Sequence, residues 1–437
     1  MTTTLDSQTP PRAGSAVGTI TLLSIMMFLE FFIWGAWYVT MSSFMTEAKM
    51  TASIGLAYML CPIAAIISPF FLGMVADRYF ASEKVLAVLQ IIGGVAMFLV
   101  PGAARQGAWP FLGVILIHAL CYMPTLGLTN TIAFANMTDQ EKQFPLVRVF
   151  GTFGWIVAGL VISFVMHADK TAGQFILAGG ASVLMGLFSF ALPHTPPPAK
   201  GKTARIGEIF GSDAMTLFRS PSFTVFAIAS FLICIPLAAY YGFAGRMVGD
   251  LQKPVGGTMA IGQAAEVVFM LLMPLFFAWL GVKWMLALGM LSWAARYALF
   301  AAGAPNAVFW MIILGIALHG MCYDFFFVTG FIYTDKRASK EIRGQAQGLL
   351  VLITQGLGLG LGAYLTGEYF NRTVGGATGR DALALYPKFW WAWAAFAFIV
   401  LVIFVLLFRD DSKEPVVDSR GFEVQPPSQE PAATSAV

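Results

Sequence analysis

Charged residues are scarce in this chain, and histidine and cysteine are scarcer still. Only 11% of its 437 residues are charged, and it has four histidines and four cysteines. A soluble globular domain carries about 25% charged residues, so the composition excludes a soluble protein with one large core. Cys61, Cys121, Cys234 and Cys322 are isolated in apolar segments, which excludes a disulfide framework and zinc-ligand spacing.

The chain also lacks the sequence patterns of catalysis. It contains no kinase-type phosphate loop, metal-binding triad or nucleophile–base set. The glycine ladder from Gly356 to Gly362 is typical of a close-packing helix face and not of a nucleotide loop. We therefore expect no enzyme, no metal and no cofactor. The two long polar segments, residues 193–221 and 409–437, are too short to contain a nucleic-acid-binding domain. We therefore expect no nucleic-acid partner.

Long apolar runs fill most of the chain. It is 58% hydrophobic, with a mean hydropathy of +0.75, and each run approaches the roughly 20 residues that cross a bilayer. These runs predict an all-α membrane protein with twelve transmembrane helices in a lipid bilayer. The predicted spans, numbered 1 to 12, are residues 18–45, 51–76, 84–103, 109–135, 147–167, 173–192, 222–249, 257–281, 284–303, 307–332, 343–368 and 386–408.

Polar segments divide the spans into two sets of six. The longest internal polar stretch contains Pro196-Pro197-Pro198 and a basic cluster, and the C-terminal stretch is rich in proline, serine and acidic residues. The latter composition is typical of disorder. The predicted organisation is an N-terminal tail (1–17), a six-helix bundle (18–192), a linker (193–221), a second six-helix bundle (222–408) and a disordered tail (409–437).

The basic residues fall mostly on one side of the predicted membrane. They concentrate in the central linker and before span 11, which by the positive-inside rule places both termini and the linker in the cytoplasm. Span 1 is too long for the apolar core of a signal peptide, so we expect it to be retained. The two basic groups are Lys200, Lys202, Arg205 and Arg219, and Lys336, Arg337, Lys340 and Arg343.

The two halves share a short repeat. The same three residue types recur in register in spans 4 and 10, which favours a duplicated six-helix unit. Parallel repeats are typical of transporters that alternate access around a midplane site, so the chain is interpreted as a multispanning transporter, for which we expect a monomer. The repeated residues are His118, Cys121 and Tyr122, and His319, Cys322 and Tyr323.

Few ionisable residues lie inside the spans, and the clearest are Glu30, Glu266, Arg296 and Asp324. A charge at membrane depth is costly and usually marks a solute or proton pathway. Glu266 shares a helix face with Gln263, three residues away. We expect this pair to face solute, with the carboxylate also binding a proton; the alternative is a helix–helix hydrogen bond.

Asp324 is a second candidate for proton coupling. Burial favours the neutral acid, which suits a group that loads and releases protons; the alternative is a permanent ion pair with Arg296. For Arg296 itself we favour a structural clamp on a neighbouring carboxylate. Glu30 lies in the aromatic run from Phe28 to Trp37, and we expect it to line the cavity from span 1.

In span 5, Arg148, Thr152 and Trp155 recur at helical spacing. Together they would form a stripe of guanidinium, hydroxyl and indole that suits a polar, planar ligand. The alternatives are an interfacial positive charge for Arg148 and lipid or core packing for Trp155.

In span 7, Pro236 precedes the pair Tyr240-Tyr241, which predicts a broken helix beside an aromatic, hydrogen-bonding surface. His319 in span 10 is interpreted as a solute ligand or a proton relay. The matching His118 favours the alternative of a satisfied core histidine.

Between spans 2 and 3, Gly73-Met-Val-Ala-Asp77-Arg78 resembles the loop 2–3 signature of the major facilitator superfamily. With further segments, the chain resembles the nucleoside:proton symporter family of that superfamily from span 1 to span 12. The further segments are Trp34-Gly35-Ala-Trp37, Tyr122-Met-Pro124-Thr125, Phe144-Pro145-Leu-Val-Arg148-Val-Phe-Gly151-Thr152-Phe-Gly154, Gln263-Ala-Ala-Glu266, Trp293-Ala-Ala-Arg296 and Asp324-Phe325-Phe326.

The resemblance implies the major facilitator fold and a proton-driven importer of nucleosides in a bacterial inner membrane. It also implies a central site that uses the span 5 stripe, Gln263, Glu266, Tyr323 and Asp324. Best-known members carry amides on span 7, where this chain has Tyr240 and Tyr241. They also differ at two positions, with a tyrosine in place of His319 and an amide in place of Glu30. A carrier for another small solute such as a sugar, a proton-linked drug exporter and a solute sensor remain alternatives.

Overall fold

The computed structural model describes residues 16–71, 79–197, 213–339, 342–412, 414, 416–417 and 423–424. Nearly all of these residues are helical, which confirms the predicted all-α fold. The predicted loop motif of Gly73, Asp77 and Arg78 lies outside the described residues.

The first half contains six spans. Span 1 is interrupted by a turn at residues 38–40, and span 5 ends in a π-helical turn. The helices are Ala16–Trp37 and Met41–Glu47 (span 1), Thr51–Ser53 and Ile54–Phe71 (span 2), Ser82–Gln106 (span 3), Ala108–Ala135 (span 4), Gln140–Leu160 and Val161–Val165 (span 5), and Gly173–Ser189 (span 6).

The second half contains the other six spans, preceded by a short 3₁₀ helix, Asp213–Arg219. The helices are Pro221–Ala239, Tyr240–Ala244 and Gly245–Asp250 (span 7), Val255–Gly303 (spans 8 and 9), Phe309–Ala317, His319–Cys322, Tyr323–Val328 and Thr329–Arg337 (span 10), Arg343–Val351, Leu352–Gly358 and Leu359–Thr373 (span 11), and Gly379–Leu407 (span 12).

Spans 8 and 9 are joined without a loop. At Gly281 the backbone has φ 64° and ψ −175°, a conformation that glycine adopts without the cost a side chain would impose. The chain therefore turns at the predicted 8–9 boundary. Ten helices of the described chain are long and apolar enough to cross a membrane; splitting one at Gly281 and adding the shorter Gly173–Ser189 gives the twelve predicted spans.

Two spans begin earlier in the sequence than predicted. Span 5 begins at Gln140 and not at residue 147, because Asp139 caps the helix by accepting from the Lys142 amide. Span 12 begins at Gly379 and not at residue 386. In both spans the first turn is polar, so hydropathy alone does not reveal where the helix begins.

π-Helical turns interrupt spans 5, 7, 10 and 11 at residues 161–165, 240–244, 323–328 and 352–358. Such turns add a residue to the helical turn and frequently occur at functional sites. Three of these turns contain candidate or cavity-lining residues, namely Tyr241, Tyr323 and Gln355. The predicted break in span 7 is therefore present as a π turn directly after the helix that contains Pro236.

The two bundles meet at the end of the molecule opposite residues 16 and 407, called the distal end below. Asp169, between spans 5 and 6, accepts hydrogen bonds from the backbone amides of Val255 (3.2 Å) and Gly256 (3.0 Å) at the start of span 8. A Cβ on Gly256 would lie 2.6 Å from the Gly159 carbonyl oxygen. Close contacts also join Gly55 to Gly367 and Gly245 to Val39.

Hydrogen bonds fix the first residues of the tail that was predicted to be disordered. The Asp411 carboxylate accepts hydrogen bonds from Tyr333 (2.6 Å) and Ser220 (2.8 Å), and Arg337 donates to the Asp411 carbonyl oxygen. Residues Val416–Val417 pair antiparallel with Glu423–Val424. The start of the tail is thus fixed to spans 7 and 10 by buried polar contacts that composition does not reveal.

Candidate functional site

A cavity of ≈ 110 Å³ lies between the two bundles. Spans 1 and 5 line it from the first bundle, and spans 7, 8, 10 and 11 from the second. The lining residues are Phe31, Trp34, Tyr38, Arg148, Thr152, Trp155, Tyr241, Gln263, Glu266, His319, Tyr323, Gln355 and Leu359. Eight of the nine predicted solute-binding residues are therefore brought together, from four spans that are far apart in sequence.

Opposite charges face this cavity from the two bundles. The Arg148 guanidinium lies over the Phe31 ring, 4.1 Å from its centroid. Glu266 lines the cavity from the opposite bundle, and no ion pair joins it to Arg148 in the described chain. The guanidinium and the carboxylate remain available to a ligand between them, with the Thr152 hydroxyl and Gln263 amide alongside.

Aromatic rings form the wall of the cavity. Trp34 meets Trp155 edge-on with centroids 5.4 Å apart, and Tyr38 meets Tyr241 of the other bundle at 5.7 Å. The Tyr38 backbone oxygen accepts a 2.6 Å hydrogen bond from Tyr58. The aromatic wall therefore continues from one bundle into the other, and its rings offer flat faces to a planar ligand.

Tyr240 does not line the cavity, contrary to the sequence prediction. It is buried, stacks on His319 at 5.1 Å and lies beneath the Arg296 guanidinium, 4.1 Å from ring centroid to guanidinium carbon. Successive helical residues point about 100° apart, so Tyr240 and Tyr241 cannot face the cavity together. Only Tyr241 does.

The predicted carboxylate clamp at Arg296 is not formed. Its guanidinium is fully buried, and within the described ranges none of its nitrogens has a hydrogen-bond partner. The Tyr240 ring occupies the guanidinium face instead. The alternative interpretation of Asp324, a permanent ion pair with Arg296, is therefore absent from this conformation.

Asp324 lies just outside the lining, next to Tyr323. Its side chain is fully buried, and in the part of the chain that the structure describes neither carboxylate oxygen has a hydrogen-bond or ion-pair partner. Tyr323, which directly precedes Asp324 in the chain, lines the cavity together with Glu266. The two predicted coupling carboxyls therefore belong to one region of the second bundle.

The repeated histidines have different surroundings. His118 lies in the core of the first bundle: its Nδ1 donates to the Gly93 carbonyl oxygen at 3.0 Å and its ring stacks on Tyr122, while its Nε2 has no hydrogen-bond partner among the described residues. His319 lines the cavity, and its Nδ1 has no partner among the described residues. The interpretation as a core histidine therefore fits His118, whereas His319 faces the cavity.

Glu30 does not line the cavity, although sequence reasoning placed it there. It is fully buried inside the first bundle and accepts hydrogen bonds from Gln90 and Thr125. Sequence reasoning also missed five lining residues. Three of them carry a detectable signal, because Phe31, Trp34 and Tyr38 share one face of span 1; Gln355 and Leu359 offered none beyond a lone amide in an apolar helix.

Comparison with known proteins agrees with this fold. The family model described as "Nucleoside H+ symporter" matches residues 17–413. The chain is 40% identical to "Putative nucleoside transporter YegT" of Escherichia coli (strain K12) over 408 residues, covering 91% of this chain and 95% of that protein. It is 30% identical to "Nucleoside permease NupG" of the same organism over 405 residues, covering 89% and 95%.

Among solved structures, a crystal structure of nucleoside transporter NupG superposes with a TM-score of 0.79 at 28% identity, covering 90% of this chain and 99% of that one. This superposition agrees with the arrangement of the chain as two six-helix bundles, the predicted major facilitator fold. The match to the family model spans all twelve helices and the cavity between them. This chain is a multi-pass membrane transporter that belongs to the nucleoside H⁺ symporter family.

Proposed function

We propose that this protein imports nucleosides together with protons across a bacterial inner membrane, with both termini in the cytoplasm. The observation that carries the proposal is the cavity itself. It combines aromatic faces with hydrogen-bonding groups from both bundles and holds Arg148 and Glu266 without an ion pair between them. A nucleoside presents a planar base and sugar hydroxyls, which match these two kinds of surface.

In the proposed complex, the base stacks against Trp155 and the Trp34–Tyr38 wall. Arg148 and Thr152 donate hydrogen bonds from one side, while Gln263 and Glu266 meet the hydroxyl groups from the other. Small-molecule pockets typically measure about 300–1,000 Å³, whereas this cavity measures ≈ 110 Å³. The lining must therefore move apart to admit the solute, and closure around it would exclude water.

Proton coupling is assigned to Glu266 and Asp324. An ionised carboxylate buried without a partner costs several kcal/mol, so Asp324 is a neutral acid in the conformation observed. Glu266 contacts the solute and interacts with Asp324. Binding of solute at Glu266 and release of the Asp324 proton are then linked, because each changes the charge that the other carboxyl experiences.

A binding experiment tests the substrate class without requiring a proton gradient. Calorimetry should show binding of uridine and adenosine to the purified protein, and weak or no binding of a disaccharide or a nucleoside monophosphate. A phosphate would need more buried cations than Arg148 supplies at this cavity. If no nucleoside binds and a sugar does, the carrier is for sugars.

We expect Gly256→Ala to hold the distal end open. A methyl group there would lie 2.6 Å from the Gly159 carbonyl oxygen, closer than van der Waals contact allows, and would displace the amides that Asp169 caps. Spin labels at Thr171→Cys and Lys253→Cys, with the native cysteines replaced, should report longer distances than in the parent protein.

The matched control is Gly180→Ala in span 6, where an added methyl group meets nothing within 4 Å. It should leave the distance distribution and nucleoside uptake unchanged. Alternation at this contact would be contradicted by equal distributions for Gly256→Ala and the parent protein under every ligand condition.

We expect purine and pyrimidine nucleosides to compete with labelled uridine at affinities within about tenfold of each other, a range of 1.4 kcal/mol. Tyr241 offers a stacking face and one hydroxyl, and an amide such as Gln263 or Gln355 can turn to present a donor or an acceptor. A dedicated buried hydrogen bond would add about 1–3 kcal/mol of discrimination. Strong preference for one base would assign base recognition to a fixed group, with His319 the first candidate.

A further inference from the structure

A third carboxyl, Glu30, is buried in the first bundle and takes no part in the proposed solute site. Its side chain has no exposed surface and does not line the cavity. No ion pair to Glu30 occurs in the described ranges of the chain. A buried charge without a counter-charge is costly in a membrane protein, so its neighbours decide which protonation state is stable.

Those neighbours are uncharged and come from three other spans. Thr125 Oγ1 of span 4 lies 2.6 Å from Glu30 Oε1, and Gln90 Nε2 of span 3 lies 2.8 Å from Glu30 Oε2. Ser182 of span 6 contacts Gln90 in turn. The Tyr122 hydroxyl donates to the Glu30 carbonyl oxygen at 2.6 Å. The carboxyl therefore joins spans 1, 3, 4 and 6.

The Ser182 hydroxyl lies against more hydrogen-bond acceptors than it has protons to donate. Its oxygen lies 2.7 Å from the Gln90 carbonyl oxygen and 2.6 Å from Gln90 Oε1, yet it has one proton for the two acceptors. The oxygen and nitrogen of an amide side chain are interchangeable by a flip. If Gln90 is turned over, its nitrogen donates to Ser182, and Ser182 donates to the carbonyl oxygen.

The turned amide places an oxygen of Gln90 against Glu30 Oε2. Two oxygens 2.8 Å apart need a proton between them, and only the carboxyl can supply it. Thr125 shows the same shortage, since its oxygen lies 2.6 Å from both Glu30 Oε1 and the Tyr122 carbonyl oxygen. A carboxyl proton on Oε2 bridges the turned Gln90 oxygen, and Thr125 shares its own proton between its two acceptors. An ionised carboxyl leaves an unbridged pair of oxygens either at the turned Gln90 or, with the amide unturned, at Ser182.

We propose that Glu30 is a proton-binding site of the first bundle, occupied in this conformation and separate from the carboxyls at the solute cavity. All its partners belong to one bundle, so rocking of the two bundles leaves the network intact and the proton stays bound through the transport cycle. The ionisable groups around it include Tyr122, which donates to the Glu30 carbonyl oxygen, and His118, which stacks on Tyr122. Arg148 of span 5 lies over the ring of Phe31, the residue after Glu30.

Infrared spectroscopy of the full-length protein in lipid tests the bound proton independently of the proposed substrate. The wild type at neutral pH should show a protonated-carboxyl C=O band that is lost in Glu30→Gln and retained in Asp324→Asn. Glutamine has the shape of the neutral acid and can donate to the turned Gln90. Equal band intensity in the wild type and Glu30→Gln would overturn the proposal.

Two further measurements show which claim is wrong if the experiment fails: the hydrogen-bond network, the permanently bound proton or the proposed nucleoside transport. Thr125→Val removes one hydrogen bond to the carboxyl oxygen and should shift the band without removing it; an unshifted band would contradict the network, even if Glu30→Gln does not fold. Glu30→Gln should also keep gradient-driven uptake. Loss of accumulation with intact nucleoside exchange would overturn the claim that the proton stays bound, while absence of nucleoside transport in the wild type would count against the proposed function alone.

Discussion

Asp324→Asn should abolish proton-driven accumulation of nucleoside while leaving solute exchange intact. Asparagine keeps the size of the neutral acid but cannot release a proton, so the carrier can still bind and reorient without coupling. The buried, unpartnered carboxyl of Asp324 is the reason to expect this separation. Uptake into proteoliposomes with an inward proton gradient measures accumulation, and counterflow with internal unlabelled nucleoside measures exchange.

Glu266→Gln should differ from Asp324→Asn in one respect. Because Glu266 lines the cavity, its loss should weaken nucleoside binding as well as coupling. The matched control is Asp381→Asn, an exposed carboxylate in the first turn of span 12, which should change neither activity. If both cavity-region variants still concentrate solute under the gradient, coupling through these carboxyls is wrong.

Trp155→Ala should weaken nucleoside binding by about tenfold or more. Stacking of a base on an aromatic side chain contributes about 1–3 kcal/mol, and 1.4 kcal/mol corresponds to tenfold in affinity. Trp155 borders the cavity and contacts Trp34 edge-on, which leaves a face for the base. Calorimetric titration with uridine and adenosine measures the loss.

A second tryptophan serves as the control for this substitution. Trp391 in span 12 is 52% exposed on the outside of the bundle, so Trp391→Ala removes the same side chain far from the cavity and should leave affinity unchanged. Unchanged affinity in Trp155→Ala would instead assign Trp155 to packing of spans 1 and 5, where its backbone lies against Gly35.

The sequence allowed the spans and most of the cavity to be predicted for a simple physical reason. In a membrane helix, polar groups are costly and therefore few, so residues such as Arg148, Gln263 and Glu266 stand out against an apolar background. Their helical spacing then predicts which of them share a face. The structure brings them to one cavity because spans 5 and 8 pack against each other.

Aromatic and buried polar residues were harder to assign. Phe31 and Trp34 line the cavity, but an aromatic stripe in an apolar helix has the same pattern whether it faces lipid, core or solute. Tyr240 was misassigned because adjacent helical residues point about 100° apart, and the sequence does not show which of the two tyrosines faces the cavity. For Glu30 and Arg296, the partners belong to other spans, and no pattern within one span identifies them.

Uptake of labelled uridine into proteoliposomes, with and without an inward proton gradient, tests the central claim most directly. Proton-coupled nucleoside import predicts accumulation above the external concentration when the gradient is imposed, and mere equilibration when a protonophore collapses it. Equal uptake under both conditions would contradict proton coupling, and the absence of any uridine uptake would contradict the substrate itself.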